Sequence, residues 1–340
     1  MRHKKPVILI YRKPFPNVFS IEFIFDQLLV SLHTSRSINK YSLPGFSNSF
    51  FNRIVNIFSI LQFQNKIIHV TGDVHYAILG AWFNLRVLTI HDLAFMHQNK
   101  GIKRSILKWL WIVLPVKFAH QITVVSEATK WDILNYVRSD MQKIKVIPNF
   151  ISDTYQPIIN RKFNTARPHL LQVGTAFNKN INRLVAAISG IPCTLIIVGD
   201  LSGPQEAILK KFGIQYVNKV NLTEQELYQE YAKADMLTFV STIEGFGMPI
   251  IEAQACGLAV ITSNCSSMPE VAGDAALLID PLDIAAIKNG ILTLIANETL
   301  RNELIKKGFE NVKRFSKEKV IAQYEGLYKD LENRKSSNQR

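Results

Sequence analysis

Cysteine is scarce in this sequence, and its distribution excludes two common kinds of structural site. The three cysteines, Cys193, Cys256 and Cys265, show no C-x-x-C spacing, and an odd number cannot all pair. Such residues are typical of buried thiols in a reducing compartment. The histidines are scattered, without an H-E-x-x-H or similar zinc pattern. We therefore expect no disulfide framework and no metal site.

Long apolar runs are absent as well. No stretch of about 18 or more apolar residues is free of charge, so the sequence predicts no membrane-spanning helix. The basic N-terminus is followed only by the apolar run Val7 to Tyr11, which is too short for a signal peptide and is typical of a buried strand. The sequence therefore predicts a cytoplasmic protein.

Acidic residues are few in the first half of the chain. Residues 1–155 hold 19 Lys and Arg against 8 Asp and Glu, a balance of +11, whereas residues 156–340 hold 21 against 19, a balance of +2. A basic half indicates an anionic partner, which could be nucleic acid, an anionic membrane or a phosphorylated acceptor. No helix-turn-helix, zinc-finger or RNA-recognition pattern is present, so we do not expect nucleic-acid binding.

The composition is that of a globular protein with two domains. The 340 residues are 47% hydrophobic and 20% charged, which allows two cores of ordinary size. Short β-type runs alternate with amphipathic helical patterns in both halves, and this alternation predicts an α/β fold with parallel sheets. We expect a first domain over residues 1–155, a second over 156–315, a closing helix over 316–332 and a polar tail over 333–340.

The most informative stretch covers residues 236–257. A β-type run precedes a loop with two glycines, Pro249 stands near the start of a helix, and Gly257 stands just past its end. The free N–H groups at a helix start favour an anion, and Gly245 and Gly247 let backbone approach a ligand closely.

Two carboxylates, Glu244 and Glu252, flank this phosphate-binding loop. Carboxylates suit hydroxyl groups, so the arrangement fits a ligand with hydroxyls at both ends and phosphate between them, as in a nucleotide sugar. The alternative is a strand, a turn and a helix with ordinary capping.

A second strand, glycine turn and helix start occurs at residues 169–188. The strand His169 to Val173 leads into Gly174 and Thr175, and Lys179 precedes the helix. A lysine in this position can supply a mobile positive charge to a diphosphate, although an ordinary surface lysine would look the same.

Three strings resemble one enzyme family. Residues 244–252, Glu-Gly-Phe-Gly-Met-Pro-Ile-Ile-Glu, resemble the Glu-x7-Glu motif of the retaining GT-B glycosyltransferases of glycosyltransferase family 4. Residues 174–180 are similar to the family's Gly-Thr…Arg-Lys-Asn, with Asn178 in place of the arginine. Residues 89–95, Thr-Ile-His-Asp-Leu-Ala-Phe, are similar to a stretch whose histidine faces the donor sugar. The resemblance covers most of residues 67–330.

The resemblance implies both a fold and a reaction. The fold would be GT-B, with two Rossmann-like domains facing each other across a cleft and the donor mostly on the second. The enzyme would be a retaining hexosyltransferase that needs no metal and no cofactor. It would move a sugar from a nucleoside-diphosphate sugar to a glycan or a lipid-diphosphate-linked acceptor, in the assembly of bacterial surface polysaccharide such as lipopolysaccharide or capsule.

The resemblance also assigns roles to residues. Glu244, His91 and Lys179 would be catalytic, and Arg183 is a candidate replacement for the missing arginine. The donor would contact the two loops and the second carboxylate, namely Gly174, Thr175, Lys179, Asn180, Gly245, Phe246, Gly247, Met248, Pro249 and Glu252. Asn17 and Asp92 would lie on the acceptor side, where the family's glycine-rich first loop is absent.

Other functions stay open at this point. A nucleotide-sugar epimerase on the same scaffold would turn over its substrate without an acceptor. A non-catalytic partner subunit would keep the same fold. The absence of the arginine at Asn178 favours this hypothesis, and the presence of Glu244, Glu252 and Lys179 argues against it. The donor sugar and its nucleobase are not predicted.

Two segments of the first half, residues 46–63 and 102–118, combine aromatic and basic residues. They are typical of interfacial amphipathic helices that meet anionic headgroups, but their apolar residues would equally well pack on a sheet. Together with the basic first half, they suggest a protein held peripherally at an anionic surface, the inner face of the cell membrane.

Overall fold

The computed structural model describes residues 4–14, 20–159 and 161–337. The chain divides into two compact units, which we call the first unit, Met1–Phe150 with Lys317–Arg340, and the second unit, Ile151–Ser316. The division falls after Phe150, whereas the predicted boundary lies after Tyr155.

The first unit contains a parallel sheet of six strands in the order β2-β1-β3-β4-β5-β6. The strands are β1 (Val7–Tyr11), β2 (Ile38–Ser42), β3 (Ile67–Val70), β4 (Leu85–Ile90), β5 (Gln121–Val124) and β6 (Ile144–Val146). The residues of β1, β3 and β5 are all buried, as expected when helices cover both faces of a parallel sheet. The edge strand β2 was not predicted, because its sequence Ile-Asn-Lys-Tyr-Ser is polar and only Ile38 is buried.

Helices connect these strands. They are α1 (Ser20–Leu32), α2 (Phe50–Ser59), α3 (Phe95–Gln98), α4 (Gly101–Leu107), α5 (Leu114–Phe118) and α6 (Glu127–Tyr136). The predicted single helix over 102–118 is instead α4 and α5 joined by a π-helical segment, Lys108–Val113. Short 3-10 turns lie at Ile60–Gln62, His75–Gly80 and Met141–Lys143.

The second unit repeats this architecture with the strand order β12-β11-β10-β7-β8-β9. The strands are β7 (His169–Val173), β8 (Thr194–Val198), β9 (Tyr216–Lys219), β10 (Met236–Phe239), β11 (Ala259–Ser263) and β12 (Leu277–Ile279). All strand pairs are parallel. Cys193 and Cys256 are buried, Cys265 is half-buried, and all three thiols are free.

Seven helices are described in this unit. They are α7 (Ile181–Ile188), α8 (Gly203–Lys211), α9 (Glu224–Lys233), α10 (Met248–Ala255), α11 (Met268–Ala272), α12 (Ile284–Ala296) and α13 (Glu298–Asn311), with 3-10 turns at Phe177–Lys179 and Val312–Phe315. A glycine is typical of the residue just past the end of a helix, but Gly308 lies within α13, which continues to Asn311. The glycine instead allows a close approach to Gln254 of α10, whose Cβ would lie 3.2 Å from an added Cβ.

The closing helix α14 (Lys317–Ser337) returns to the core of the first unit. Val320, Tyr324 and Tyr328 are buried there, and the Tyr328 hydroxyl lies 2.7 Å from Nδ1 of the buried His69. The helix extends beyond the predicted 316–332, so residues 333–337 are helical and do not form a tail. Residues 338–340 lie outside the described residues.

In an open parallel sheet, ligands bind beyond the carboxyl ends of the strands, where the strand order reverses. In the second unit this reversal lies between β7 and β10, which are hydrogen-bonded neighbours. In the first unit it lies between β1 and β3. Within the described part of the chain, no helix combines the length and the apolar character needed to cross a membrane.

Candidate functional site

The loop after β7 is shaped to place a lysine at the strand-order reversal. Gly174 has a φ of +89°, a conformation that residues with a Cβ rarely adopt. An added Cβ would lie 2.7 Å from Cε of Lys179, so the glycine also lets the lysine side chain cross the loop. Thr175 fixes the other side of the turn by donating from Oγ1 to the carbonyl oxygen of Asp200, at 2.6 Å.

Lys179 and Glu244 form the central ion pair of this edge. The Lys179 Nζ lies 2.6 Å from Glu244 Oε1 and 4.6 Å from the centroid of the Phe239 ring. The two side chains are only 17% and 13% exposed, so water screens this pair far less than an ordinary surface pair. The structure therefore brings together two of the three predicted catalytic residues.

Asn178 stands where the family has an arginine, and its amide is turned inward. Nδ2 donates to the carbonyl oxygen of Ile243 at 2.8 Å and to Glu244 Oε1 at 3.1 Å. Asn178 therefore holds the loop after β10 and shares the carboxylate oxygen that Lys179 binds. It supplies no second positive charge.

Asn180 and Arg183 are engaged with the protein itself. Asn180 has a φ of +58° and precedes α7, and its Nδ2 donates to the carbonyl oxygens of Val240 and Pro281 at 3.0 and 2.6 Å. Its Oδ1 accepts from Arg183 Nη1 at 3.0 Å. These contacts tie the ends of two strands together, and they hold Arg183 against Asn180.

The loop after β10 is braced by the loop after β11. Ser266 accepts from the Glu244 amide at 3.1 Å and donates to the Glu244 carbonyl at 2.7 Å, and Ser267 donates to the carbonyls of Glu244 and Phe246. These braces fix the backbone that carries the Glu244 carboxylate.

The same loop leads into α10 through Gly247, whose φ is +104°. The helix begins at Met248, with Pro249 buried in its first turn, and its first amides have no partner within the helix. The Phe246 side chain is buried against Phe315, with ring centroids 5.4 Å apart, so only its backbone is placed to meet a ligand. Like that of Gly247, the Gly245 backbone belongs to this loop.

Glu252 lies in the second turn of α10. Its carboxylate is buried, and Oε2 accepts a 2.6 Å hydrogen bond from the Tyr231 hydroxyl. The pKa of Glu252 is raised to about 7: burial is the main cause and nearby Glu224 adds to it, while the Tyr231 hydroxyl, Lys179 and the Tyr155 hydroxyl act in the opposite direction. Burial disfavours the charged form of this carboxylate, and residues with a pKa raised in this way are frequent at functional sites. Glu252 is therefore a candidate for ligand binding.

His91 and Asp92 belong to the first unit, where they line a cavity of about 500 Å³ beyond β3 and β4. The His91 Nε2–H donates to the carbonyl oxygen of Thr71 at 2.8 Å, and burial lowers the pKa of the imidazole. His91 is therefore neutral, with an unprotonated Nδ1. Asp92 accepts from the amide of Ala94 at 2.8 Å. Asn17, predicted on the acceptor side, lies outside the described residues.

Sequence reasoning missed the other residues of this cavity, among them Arg53, His75, Lys103 and Trp111. Of these four residues, only His75 could have been assigned to the cavity from the sequence, because it closely follows β3 and so lies at the same sheet edge as His91. It also missed Tyr231, whose hydrogen bond to Glu252 joins the consecutive helices α9 and α10 across 21 residues.

Two family models match the chain, one on each unit. Residues 7–155 match Glycosyltransferase Family 4, and residues 158–311 match Glycosyl transferases group 1.

Among curated relatives, O-antigen chain mannosyltransferase B of Escherichia coli is 29% identical over 269 residues, which cover 72% of this chain and 70% of the relative. O-antigen chain mannosyltransferase RfbU of Salmonella typhimurium is 26% identical over 267 residues, which cover 75% and 73%.

Solved structures share the fold over almost the whole chain. A sucrose-phosphate synthase from Thermosynechococcus elongatus has a TM-score of 0.78 at 19% identity and covers 96% of this chain and 99% of its own. Anabaena Alr3699/HepE, in complex with UDP and glucose, has a TM-score of 0.77 at 14% identity and covers 96% and 100%.

Each of the two units is an α/β fold with a six-stranded parallel sheet, and two such units in one chain are the architecture of the GT-B class of fold, which these structural neighbours share. With both family models matched in chain order, the protein belongs to the GT-B glycosyltransferases of family 4. The predicted family and fold class are thereby confirmed.

Proposed function

We propose that this glycosyltransferase retains anomeric configuration and moves a sugar from a nucleoside-diphosphate sugar to a glycan or lipid-diphosphate-linked acceptor during assembly of a bacterial surface polysaccharide. The observation that carries the proposal is the shielded Lys179–Glu244 pair beside the N-terminus of α10. The printed names of the O-antigen mannosyltransferases support the polysaccharide, and the UDP and glucose bound to the Anabaena protein support the donor class.

The chemical demand of this reaction is charge stabilisation. The anomeric C–O bond breaks, its electron pair goes to the diphosphate, and the sugar becomes oxocarbenium-like. Lys179 and the backbone amides around Gly247 and Met248 stabilise the diphosphate, so we expect no metal and no cofactor to be required. The acceptor oxygen attacks the face that the diphosphate leaves, and its proton passes to the departing phosphate oxygen.

The two carboxylates hold the ends of the donor in this proposal. Glu252 accepts hydrogen bonds from the ribose hydroxyls. Glu244 accepts from hydroxyls of the transferred sugar once Lys179 turns from it to the diphosphate. His91, neutral and with an unprotonated Nδ1, accepts a hydrogen bond from the reacting sugars.

A screen of nucleoside-diphosphate sugars tests the proposal. Mannose and glucose donors with guanine and uracil bases are incubated with the full chain, and thermal stability and donor hydrolysis are measured. A donor at about 100 times its Kd should stabilise the folded chain by about 2.7 kcal/mol, because it binds only the folded state.

The outcomes separate the candidate functions. Slow hydrolysis that yields a free sugar of unchanged anomeric configuration supports retaining transfer. Conversion to an isomeric nucleotide sugar without an acceptor would identify an epimerase instead. If no donor stabilises the chain or is hydrolysed, the protein is a non-catalytic partner and the proposal is wrong.

We further propose that the first unit binds an anionic membrane surface, which would make the protein peripheral at the cytoplasmic face of the membrane. Its helices α2 and α4 expose large apolar side chains, with Phe50 and Phe51 72% exposed and Ile102 81% exposed. The positive balance of the first half supplies complementary charge.

Liposome co-sedimentation tests the membrane surface. Binding should rise with the fraction of anionic lipid and fall with salt, and replacing Phe50 and Phe51 by serine should weaken it about tenfold or more, because two aromatic rings lose their apolar contact. Ile159→Ser, at a residue of the second unit that is 83% exposed, is the control and should have no effect. Binding that ignores lipid charge and salt would contradict this proposal.

A further inference from the structure

The cavity of the first unit has two kinds of polar lining. One comes from residues that follow the carboxyl ends of β3 and β4, and the other from the helices α2 and α4. The first set is Asp73, His75, His91 and Asp92, and the second is Arg53 and Lys103. The reaction proposed above uses only His91 of these six.

His75 presents a hydrogen-bond acceptor to this cavity. The residue is 2% exposed, and its Nδ1–H donates to the carbonyl oxygen of Trp111 at 2.7 Å. Burial lowers the pKa of His75, so the imidazole is neutral and its Nε2 keeps a lone pair. His91 is fixed in the same manner by Thr71, with the lone pair on Nδ1. Two neutral imidazoles and two carboxylates therefore form a wall that accepts hydrogen bonds.

Such a wall suits a ligand with many hydroxyl donors. Asp73 is already paired with Arg12, whose Nη1 lies 2.5 Å from Oδ2, and Asp92 caps the turn before α3. Their charges are therefore partly satisfied, and their remaining lone pairs can accept from neutral hydroxyls. A saccharide has the required density of donors.

The two cations are placed differently. The Arg53 guanidinium lies 5.0 Å from the centroid of the Trp111 ring, and its Nε donates to the carbonyl oxygen of Ser47 at 3.0 Å. These contacts fix the guanidinium while its terminal nitrogens remain for a ligand. Among residues 4–14, 20–159 and 161–337, no carboxylate forms a salt bridge with Arg53 or Lys103. A fixed arginine and a mobile lysine on one cavity are suited to a phosphate group.

We propose that this cavity binds the acceptor and that the acceptor is a sugar phosphate, with its hydroxyls on His75 and His91 and its phosphate on Arg53 and Lys103. His75 is then a residue that determines acceptor specificity. The inference rests on the proposed function, which it deepens by naming the acceptor class. The helices that supply the two cations also expose Phe50 and Ile102, and this favours a sugar phosphate linked to a lipid over a free one.

Ligand-observed NMR titration of the full chain tests the proposal. The probes are α-glucose 1-phosphate, methyl α-glucoside, which lacks the phosphate, and decyl-phospho-glucose, which adds an alkyl chain. Saturating UDP and GDP are present throughout to block the donor edge of the second unit. We expect glucose 1-phosphate to bind under these conditions and the glucoside to bind at least about tenfold more weakly, as loss of a charge-assisted contact requires.

Matched variants locate the contacts. Arg53→Gln should weaken glucose 1-phosphate about tenfold and leave the glucoside unchanged, while Arg138→Gln, at an exposed cation that does not line the cavity, should change neither. His75→Asn keeps a donor for the Trp111 carbonyl and removes the Nε2 lone pair, so it should weaken both probes equally. Thermal melting of each variant checks that the fold is intact.

Two results would overturn the proposal, namely failure of glucose 1-phosphate to bind when the nucleotides are present, and equal effects of Arg53→Gln and Arg138→Gln.

Tighter binding of decyl-phospho-glucose supports the lipid-linked source, and equal binding of the two phosphates assigns the site to free sugar phosphates. Because donor hydrolysis needs no acceptor, failure here and failure of the proposed function are separate observations. Once transfer is measured, Arg53→Gln should raise the acceptor KM and leave the donor KM unchanged.

Discussion

Replacement of Lys179 by alanine should lower kcat/KM for sugar transfer by about 100-fold or more, since removal of one preorganised group that stabilises developing charge costs about 2.7–4 kcal/mol in other enzymes. Two effects combine in this variant. The departing diphosphate loses its positive partner, and the Glu244 carboxylate loses the cation that lies 2.6 Å away. Steady-state kinetics with the donor found in the screen measures the change.

The chain contains a matched control for this variant. Lys233 also lies 2.6 Å from a glutamate, Glu230, but its side chain is 57% exposed and lies on α9, away from the loops after β7 and β10. Lys233→Ala should therefore change kcat/KM little, although it removes a lysine–glutamate contact of equal length.

A double variant separates the two effects at Lys179. If the lysine only positions Glu244, the pair Lys179→Ala and Glu244→Ala should be as slow as Glu244→Ala alone. If the lysine also stabilises the diphosphate, the double variant should be slower still. Activity of Lys179→Ala near that of Lys233→Ala would show that the catalytic assignment is wrong.

Local patterns predicted the strand and helix next to the candidate site of the second unit well, because glycine and proline mark their ends. Pro249 and Gly257 bound α10, and the strand β7 was predicted with its observed ends. The same reasoning failed where local and tertiary signals diverge. Gly308 resembles a glycine that ends a helix, but it lies within α13, where the absence of a Cβ allows the helix to approach Gln254 closely. The polar edge strand β2 lacks the alternation that marks a half-buried strand.

The residues of the candidate site could be predicted only where the resemblance to the family assigned them, because spacing in the sequence does not show which distant residues come into contact. Lys179 and Glu244 are separated by 65 residues, and no local pattern indicates that they form an ion pair. The cavity of the first unit was missed for the same reason, since Arg53, His75 and Lys103 come from separate elements that the sheet topology brings together. Asn178 marked a departure from the family pattern, but its inward hydrogen bonds to the Glu244 loop follow from the fold alone.

Replacement of Glu252 by glutamine should stabilise the protein at neutral pH and weaken donor binding. Burial raises the pKa of the carboxyl group in the folded state to about 7, from 4.5 when unperturbed. The folded protein therefore binds more protons than the unfolded chain between these values, and the stability of the wild type falls as pH rises from about 4.5 to about 7. Glutamine resembles the protonated acid in shape and does not incur this loss.

The stability of the variant relative to the wild type should therefore depend on pH. The difference should be small near pH 4.5 and reach roughly 3 kcal/mol at pH 8, the value that corresponds to the pKa difference. Urea unfolding at both pH values measures it. Glu230→Gln is the control: Glu230 is also buried but pairs with Lys233, and its loss should destabilise the protein.

Donor binding should change in the opposite direction. A hydrogen bond to a charged carboxylate contributes about 1.5–3 kcal/mol, whereas a hydrogen bond between neutral groups contributes about 0.5–1.5 kcal/mol. Loss of the charge that accepts from the ribose hydroxyls should therefore weaken nucleotide binding by Glu252→Gln at pH 8 about tenfold or more. At pH 5 the wild-type acid is largely protonated, and the two proteins should bind the nucleotide almost equally. A gain in stability with a loss of affinity, both confined to the higher pH, is the signature of a buried carboxylate kept for its ligand. If the variant is less stable than the wild type at pH 8, or binds nucleotide as well there, Glu252 is a structural residue.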